Sequence, residues 1–177
     1  MHRIRKRNRL ENYDYSQNGY YFVTICTKDK KYFFGEIKDG EMVLNDYGKI
    51  AKKCWLDLPN HYVNCQLDEF IFMPNHMHGI VIIDNDIVES DNFVVGNGLK
   101  PFPTKGKKLH GLSEIMRGFK TFSSRRINET NPVNKFQWQK SFYDHVVRND
   151  ESLCKIREYI MINPEKWEFD KENLDNL

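Results

Sequence analysis

Residues 65–84 read CQLDEFIFMPNHMHGIVIID, two runs dense in apolar and β-branched side chains with only Pro74 and Asn75 at their join. So short a connection leaves two strands one arrangement, side by side and antiparallel. The fold must therefore contain a sheet in which Cys65–Asn75 and His76–Asp84 are neighbours. The second run carries His76 and His78 one residue apart. Side chains at i and i+2 of a strand point to the same side, so the two imidazoles share a face and Met77 takes the other.

The remaining chain supplies partners for that pair. "YYFVTICT" (Tyr20 to Thr27) follows Gly19 and reads as a core strand. "KYFFGEI" and "EMVLN" flank Asp39-Gly40, a step suited to a tight hairpin turn. From Asn45 or Asp46 as N-cap, Ile50, Cys54, Trp55 and Leu58 recur at helical spacing until Pro59 stops the helix. Residues 85–108 lose all periodicity and are read as a flexible insertion loop. "LHGLSEIMRGFKTFSSRRIN" predicts a second helix, with Ser113 as N-cap and Leu112, Ile115, Met116, Phe119, Phe122 and Ile127 as its apolar members. "FQWQKSFYDHVV" predicts another strand, and a last helix is capped near Asp150 and ends before Pro164. The order β-α-β-β-α-β-α predicts an α+β fold: a ferredoxin-like antiparallel sheet with helices on one face, plus a C-terminal helix. The 177 residues suit one domain.

A formal net charge of +2 conceals an asymmetry. Arg3, Arg5, Lys6, Arg7 and Arg9 make residues 1–12 a basic arm, whereas the C-terminus is acidic. Such an arm suits either a polyanionic partner or plain solvation. Arg117, Lys120, Arg125 and Arg126 are expected to give the second helix a cationic side, and "TKGKK" extends it. Cys26, Cys54, Cys65 and Cys154 form no CxxC pair, and no apolar run matches a signal-peptide core or a membrane span. These features predict a soluble cytoplasmic protein with reduced thiols and no membrane partner.

Paired imidazoles suit a divalent metal of borderline softness, and equally two hydrogen-bonded histidines at a strand end. In "REYIMINPEKW", Tyr159 and Asn163 stand at i and i+4, on one helical face. A terminal helix laid across the sheet would bring that face over the histidines, with Asn163 as a third ligand and Tyr159 as nucleophile. Ordinary amphipathic-helix residues explain the same spacing. Trp138, Phe142 and Tyr143 offer rings for base stacking or for the core.

"FMPNHMHGIVI" together with "QWQKSFYDHVVRNDESLCKIREYIMINPEKW" resembles the HUH single-tyrosine transposases, in particular the REP-associated tyrosine transposase branch. The likeness extends from "YYFVTICT" to "YIMINPEKW". It implies that His76 and His78 are metal ligands, that Asn163 is the third ligand and that Tyr159 attacks a backbone phosphorus of hairpin-bearing single-stranded DNA. A 5′-phosphotyrosine link and a 3′-hydroxyl would result. The resemblance implies a divalent cofactor, Mg2+ or Mn2+, and a monomer or homodimer. The residues do not name the base for the phenol; His145 is of the right type, or is a strand-edge histidine satisfied by Asp144 or backbone. The alternative is a catalytically silent module that binds palindromic hairpins. A zinc hydrolase with a water nucleophile ranks last, because no HExxH or acidic base accompanies the histidines.

Overall fold

The structure is a computed structural model that describes residues 10–87, 108–130, 133 and 135–174. The basic arm, Arg3, Arg5, Lys6, Arg7 and Arg9, lies outside the described residues, as does most of the expected 85–108 loop.

β1 (Gly19–Cys26), β4 (Cys65–Phe72), β5 (His76–Ile83) and β6 (Tyr143–Val147) form one antiparallel sheet in the order β4-β5-β1-β6, the ferredoxin-like order. β2 (Gly35–Lys38) and β3 (Glu41–Leu44) make a separate hairpin. Its turn puts Asp39 (φ 51°) and Gly40 (φ 76°) in the left-handed region, which a two-residue turn of this hand requires.

Strict alternation divides the central strands between two layers. Tyr21, Val23 and Ile25 of β1, with Met77, Val81 and Ile83 of β5, enter the main core against α1 (Asp46–Leu56) and α3 (Leu112–Thr130). Asn45 caps α1 by accepting from the Gly48 amide at 3.0 Å. Buried Ala51, Cys54 and Trp55 form the face of α1 that meets the core. Trp55 packs on Gly79, where an added Cβ would come within 2.6 Å of the indole. The glycine after His78 is therefore a seat for Trp55. On the opposite side of the sheet, Phe22 and Ile80 meet Leu153 and Ile160 of α4 (Asp150–Ile162), whose cap is Asn149 accepting from Ser152. The helix thus covers the face onto which His76 and His78 project.

Three expectations change. Pro59 does not end helical structure; it occupies the first turn of a further short helix, α2 (Leu58–His61), where its missing N–H costs nothing. Ser113 lies inside α3 and does not cap it: the Leu112 amide bonds to the Tyr15 carbonyl, and the Gly111 carbonyl starts the helix by accepting from Glu114 and Ile115. The strand expected over 136–147 shrinks to β6, preceded by a single bridge between Thr27 and Trp138. Lys120 explains the interruption, because its ammonium takes the carbonyls of Gln139 (2.5 Å) and Lys140 (3.0 Å) out of any ladder. Trp138 is buried in the main core and donates to Ser123 Oγ at 2.9 Å, so it is no stacking platform. Among the described residues no helix is long and apolar enough to cross a membrane.

Candidate active site

His76 opens β5 directly after a turn that is bonded on every side. Pro74 offers its carbonyl to Phe33 and Phe34, and the Asn75 carbonyl accepts from Thr27. The buried Asn75 amide donates to the carbonyls of Lys30 (3.1 Å) and Glu172 (2.6 Å). Since carbonyls only accept, Asn75 Oδ1 must face His76 Nδ1, which lies 2.8 Å away. His76 consequently carries its proton on Nδ1 and presents a lone pair at Nε2.

His78 sits opposite Thr24 of β1, with Nδ1 2.8 Å from Thr24 Oγ1. A hydroxyl donates or accepts, so Thr24 serves either tautomer of His78. The two Nε2 atoms lie 3.0 Å apart. They can share a proton on His78 Nε2, or both present lone pairs to a cation once Thr24 accepts from Nδ1.

Tyr159 reaches this pair from α4, its hydroxyl 3.2 Å from His78 Nε2 and its ring edge-on against both His78 and Phe22, which stack on each other. Asn163, one turn on, is buried; its Nδ2 donates to Asp170 Oδ2 at 3.3 Å, while its Oδ1 finds no hydrogen-bond partner among the described residues. Asp170 Oδ2 lies 3.8 Å from His76 Nε2, and His76, His78 and Asp170 each place a ligand atom within 4.8 Å of the other two, all three being buried. Trp167 stacks on His76 from the same tail segment. Two imidazole nitrogens and a carboxylate oxygen form a donor set that fits a borderline or hard divalent cation.

Electrostatics agree with that reading. Burial holds His76 down to about 3, with the charges of Lys171 and Lys30 adding to the effect. Burial, followed by His76, pushes His78 well below its ordinary value, though Asp170 opposes this. Both rings are neutral, as metal ligands must be. Burial, followed by the charge of Asp170, pushes the Tyr159 phenol up to about 12.

His76, His78 and Tyr159, expected from sequence to come together, lie within hydrogen-bond distance in a chain from His76 to His78 to Tyr159, whereas Asn163 joins them through Asp170. Asp170 went unrecognised: it stands in an acidic tail without periodicity or motif, and contacts such as those with Asn163 and the Glu172 amide bring it in. His145 lies exposed on the edge strand, paired with Phe22, and makes no hydrogen bond to a site residue among the described residues.

The basic residues of α3 do not share one side. Arg117 and Arg126 are nine positions apart, which at about 100° per residue places them on opposite faces. Arg117 and Lys120 line an open groove of about 1110 Å³ with Lys28, Lys135 and Lys140. Arg126 faces a different hollow beside α1, and Arg125 lies over the Phe122 ring. Lys28 of the groove belongs to the same short turn, Lys28–Lys30, as Lys30, which pairs with Glu172 at the histidine site.

The ferredoxin-like sheet with its helices is the fold of the tyrosine transposases. A solved REP-associated tyrosine transposase, bound to a REP hairpin, shares the fold: TM-score 0.55 at 16% identity, over 92% of this chain and 76% of that one. Residues 105–163, which hold α3, β6 and α4 with Tyr159 and Asn163, match the IS200-like transposase family. An uncharacterised protein of Haemophilus influenzae is 37% identical over 174 residues, 97% of this chain and 94% of that protein. A second Haemophilus influenzae protein, named a REP-associated tyrosine transposase, is 23% identical across 89% of this chain and 77% of its own. The chain belongs to the IS200-like tyrosine transposase family, with the REP-associated tyrosine transposases among its relatives.

Proposed function

We propose that this protein cuts and rejoins single-stranded DNA next to a hairpin through a covalent bond to Tyr159. The observation that carries the reading is the convergence of His76 Nε2, His78 Nε2 and the Tyr159 hydroxyl within 3.2 Å contacts on one buried patch. Tyr159 Oη attacks a backbone phosphorus, the P–O3′ bond breaks, and the 3′ oxygen leaves and takes up a proton. A 5′-phosphotyrosine and a free 3′-hydroxyl result. The phosphodiester is conserved in the link, so a 3′-hydroxyl from another strand can attack the phosphotyrosine and reverse the step. Tyr159 is 39% exposed, which opens a path for the phenolic proton to solvent while His78 is committed as a ligand.

His76, His78, Asp170 and Asn163 would hold a divalent ion, and their mixed nitrogen and oxygen set favours manganese over magnesium. When bound, it would supply positive charge beside the scissile phosphate. Asn75 and Thr24 fix the two rings by their Nδ1 atoms, as supporting partners of metal-bound histidines do. Arg117, Lys28, Lys135 and Lys140 of the groove would bind the phosphates of a hairpin stem, and the Lys28–Lys30 turn would lead its single-stranded flank toward His76. Such contacts add affinity but do not choose sequence. The protein would act as a single domain in the cytoplasm, as a monomer or homodimer.

The test is incubation with 3′-labelled hairpin oligonucleotides carrying varied flanks, in manganese or in EDTA. A labelled band that co-migrates with protein on a denaturing gel, present only with metal and lost in Tyr159→Phe, is expected. Cleavage that persists in Tyr159→Phe would assign the attack to water and overturn the proposal; tight binding with no adduct on any hairpin would favour a silent binding module.

A further inference from the structure

The helix that carries Tyr159 is attached to the sheet by little apolar surface. Leu153 and Ile160 are its buried residues; with Phe22 and Ile80 they form a small cluster, joined by half-buried Ile156 of the helix and Tyr20, Ile71 and Val147 of the sheet. At about 100° per residue, Leu153, Ile156 and Ile160 make one narrow stripe, with Arg157 on one flank and Tyr159 on the other. A stripe of this width fixes where the helix lies and leaves its roll to be set by the residues on its flanks.

Arg157 makes the strongest polar tie on one flank. Its Nε lies 3.0 and 3.2 Å from the two Asp68 oxygens and its Nη2 2.5 Å from Oδ2, a bidentate pair in which the Asp68 side chain is 12% exposed. β4 departs from regular pairing at this point. Leu67 pairs with Val81 and Phe70 with Gly79, so Asp68 and Glu69 together oppose the single residue Ile80. The β-bulge thus adds one residue opposite a member of the α4 cluster. The Glu69 amide donates to Asp68 Oδ1 at 2.7 Å and orients the carboxylate.

We propose that the Asp68–Arg157 pair is a positioning device that sets the roll of α4, and with it the reach of the Tyr159 hydroxyl to the histidine site; this rests on Tyr159 being the nucleophile. A roll of about 20° moves a group about 6 Å from a helix axis by roughly 2 Å. Misplacement of a reacting group by about 1 Å costs on the order of 100-fold in rate.

The test compares wild type with Asp68→Asn and Arg157→Lys in single-turnover adduct formation on a hairpin oligonucleotide, alongside proton NMR contacts of the labelled protein. Asp68→Asn should lower the rate constant about 10- to 100-fold with the amplitude and the oligonucleotide Kd retained, and weaken the Tyr159–His78 ring contact while the Ile160–Phe22 contact persists. Arg157→Lys keeps the charge without the fork and should fall between. A wild-type rate constant with an intact Tyr159–His78 contact overturns the inference. So does a reduced amplitude at an unchanged rate constant, which marks a loss of folded protein only. If wild type itself forms no adduct, the nucleophile assignment fails, and the NMR contacts still decide whether the pair sets the roll.

Discussion

Acid should unfold this protein through its two site histidines. Burial holds His76 down to about 3 and His78 well below its usual range, whereas both titrate near about 6.5 in an unfolded chain. Below that value the unfolded chain takes up protons that the folded chain refuses, so stability falls with falling pH and is constant above about 7.5. Each ring lowers the unfolding free energy by RT ln(1 + 10^(6.5 − pH)), about 2 kcal/mol at pH 5 and about 4 kcal/mol for the pair. The unfolding entropy of about 2.1 cal/mol/K per residue gives about 0.37 kcal/mol/K for a chain of 177 residues. The Tm should therefore drop by roughly 10 °C between pH 7.5 and pH 5. Calorimetric or circular-dichroism melts in EDTA measure this directly. His78→Asn should roughly halve the drop, and manganese should raise Tm more at pH 7.5 than at pH 5, since ligand nitrogens must be unprotonated. A Tm that moves by less than about 2 °C over this range would refute the account of two neutral, desolvated imidazoles.

Gly79→Ala should cost about 1–3 kcal/mol in urea unfolding, because the added methyl meets Trp55, Met77 and Phe70 together. Asn163→Ala removes an acceptor without a partner but also the Nδ2 bond to buried Asp170, so apo stability should fall by about 1–3 kcal/mol while manganese affinity by titration falls; unchanged manganese affinity would assign Asn163 to the fold alone. Arg117→Gln or Lys140→Gln should weaken hairpin binding and lower the salt slope of log K by about 1 each, leaving the saturated adduct rate unchanged.

The reach of the sequence follows from the range of the forces involved. Strand alternation, helix period and caps act over a few residues, so Tyr20–Thr27, the 65–84 strand pair, the Asp39-Gly40 turn and the helix of Tyr159 could all be read directly. His76 with His78, and Tyr159 with Asn163, were legible for the same reason, each pair lying within one period of its element. Asp170 was not, because a tail held by contacts to residues distant in sequence, such as Lys30, Tyr32 and Asn75, has no local signature. The ammonium of Lys120 bonding two carbonyls 19 and 20 residues away is equally non-local; it turned an expected strand into a loop. The basic face of α3 was misread for another reason. Sequence shows how many charges a helix bears, but Arg126 points away from Arg117, into a hollow beside α1 that only the packing defines.

The central claim is a bond between Tyr159 and DNA, and peptide mass spectrometry of the tryptic digest of a manganese-treated hairpin reaction tests it most directly. The peptide that runs from Glu158 to Lys166, EYIMINPEK, should carry a nucleotide 5′-phosphate on Tyr159. The same peptide recovered wholly unmodified from cleaved DNA, or a nucleotide on another residue, would contradict the mechanism.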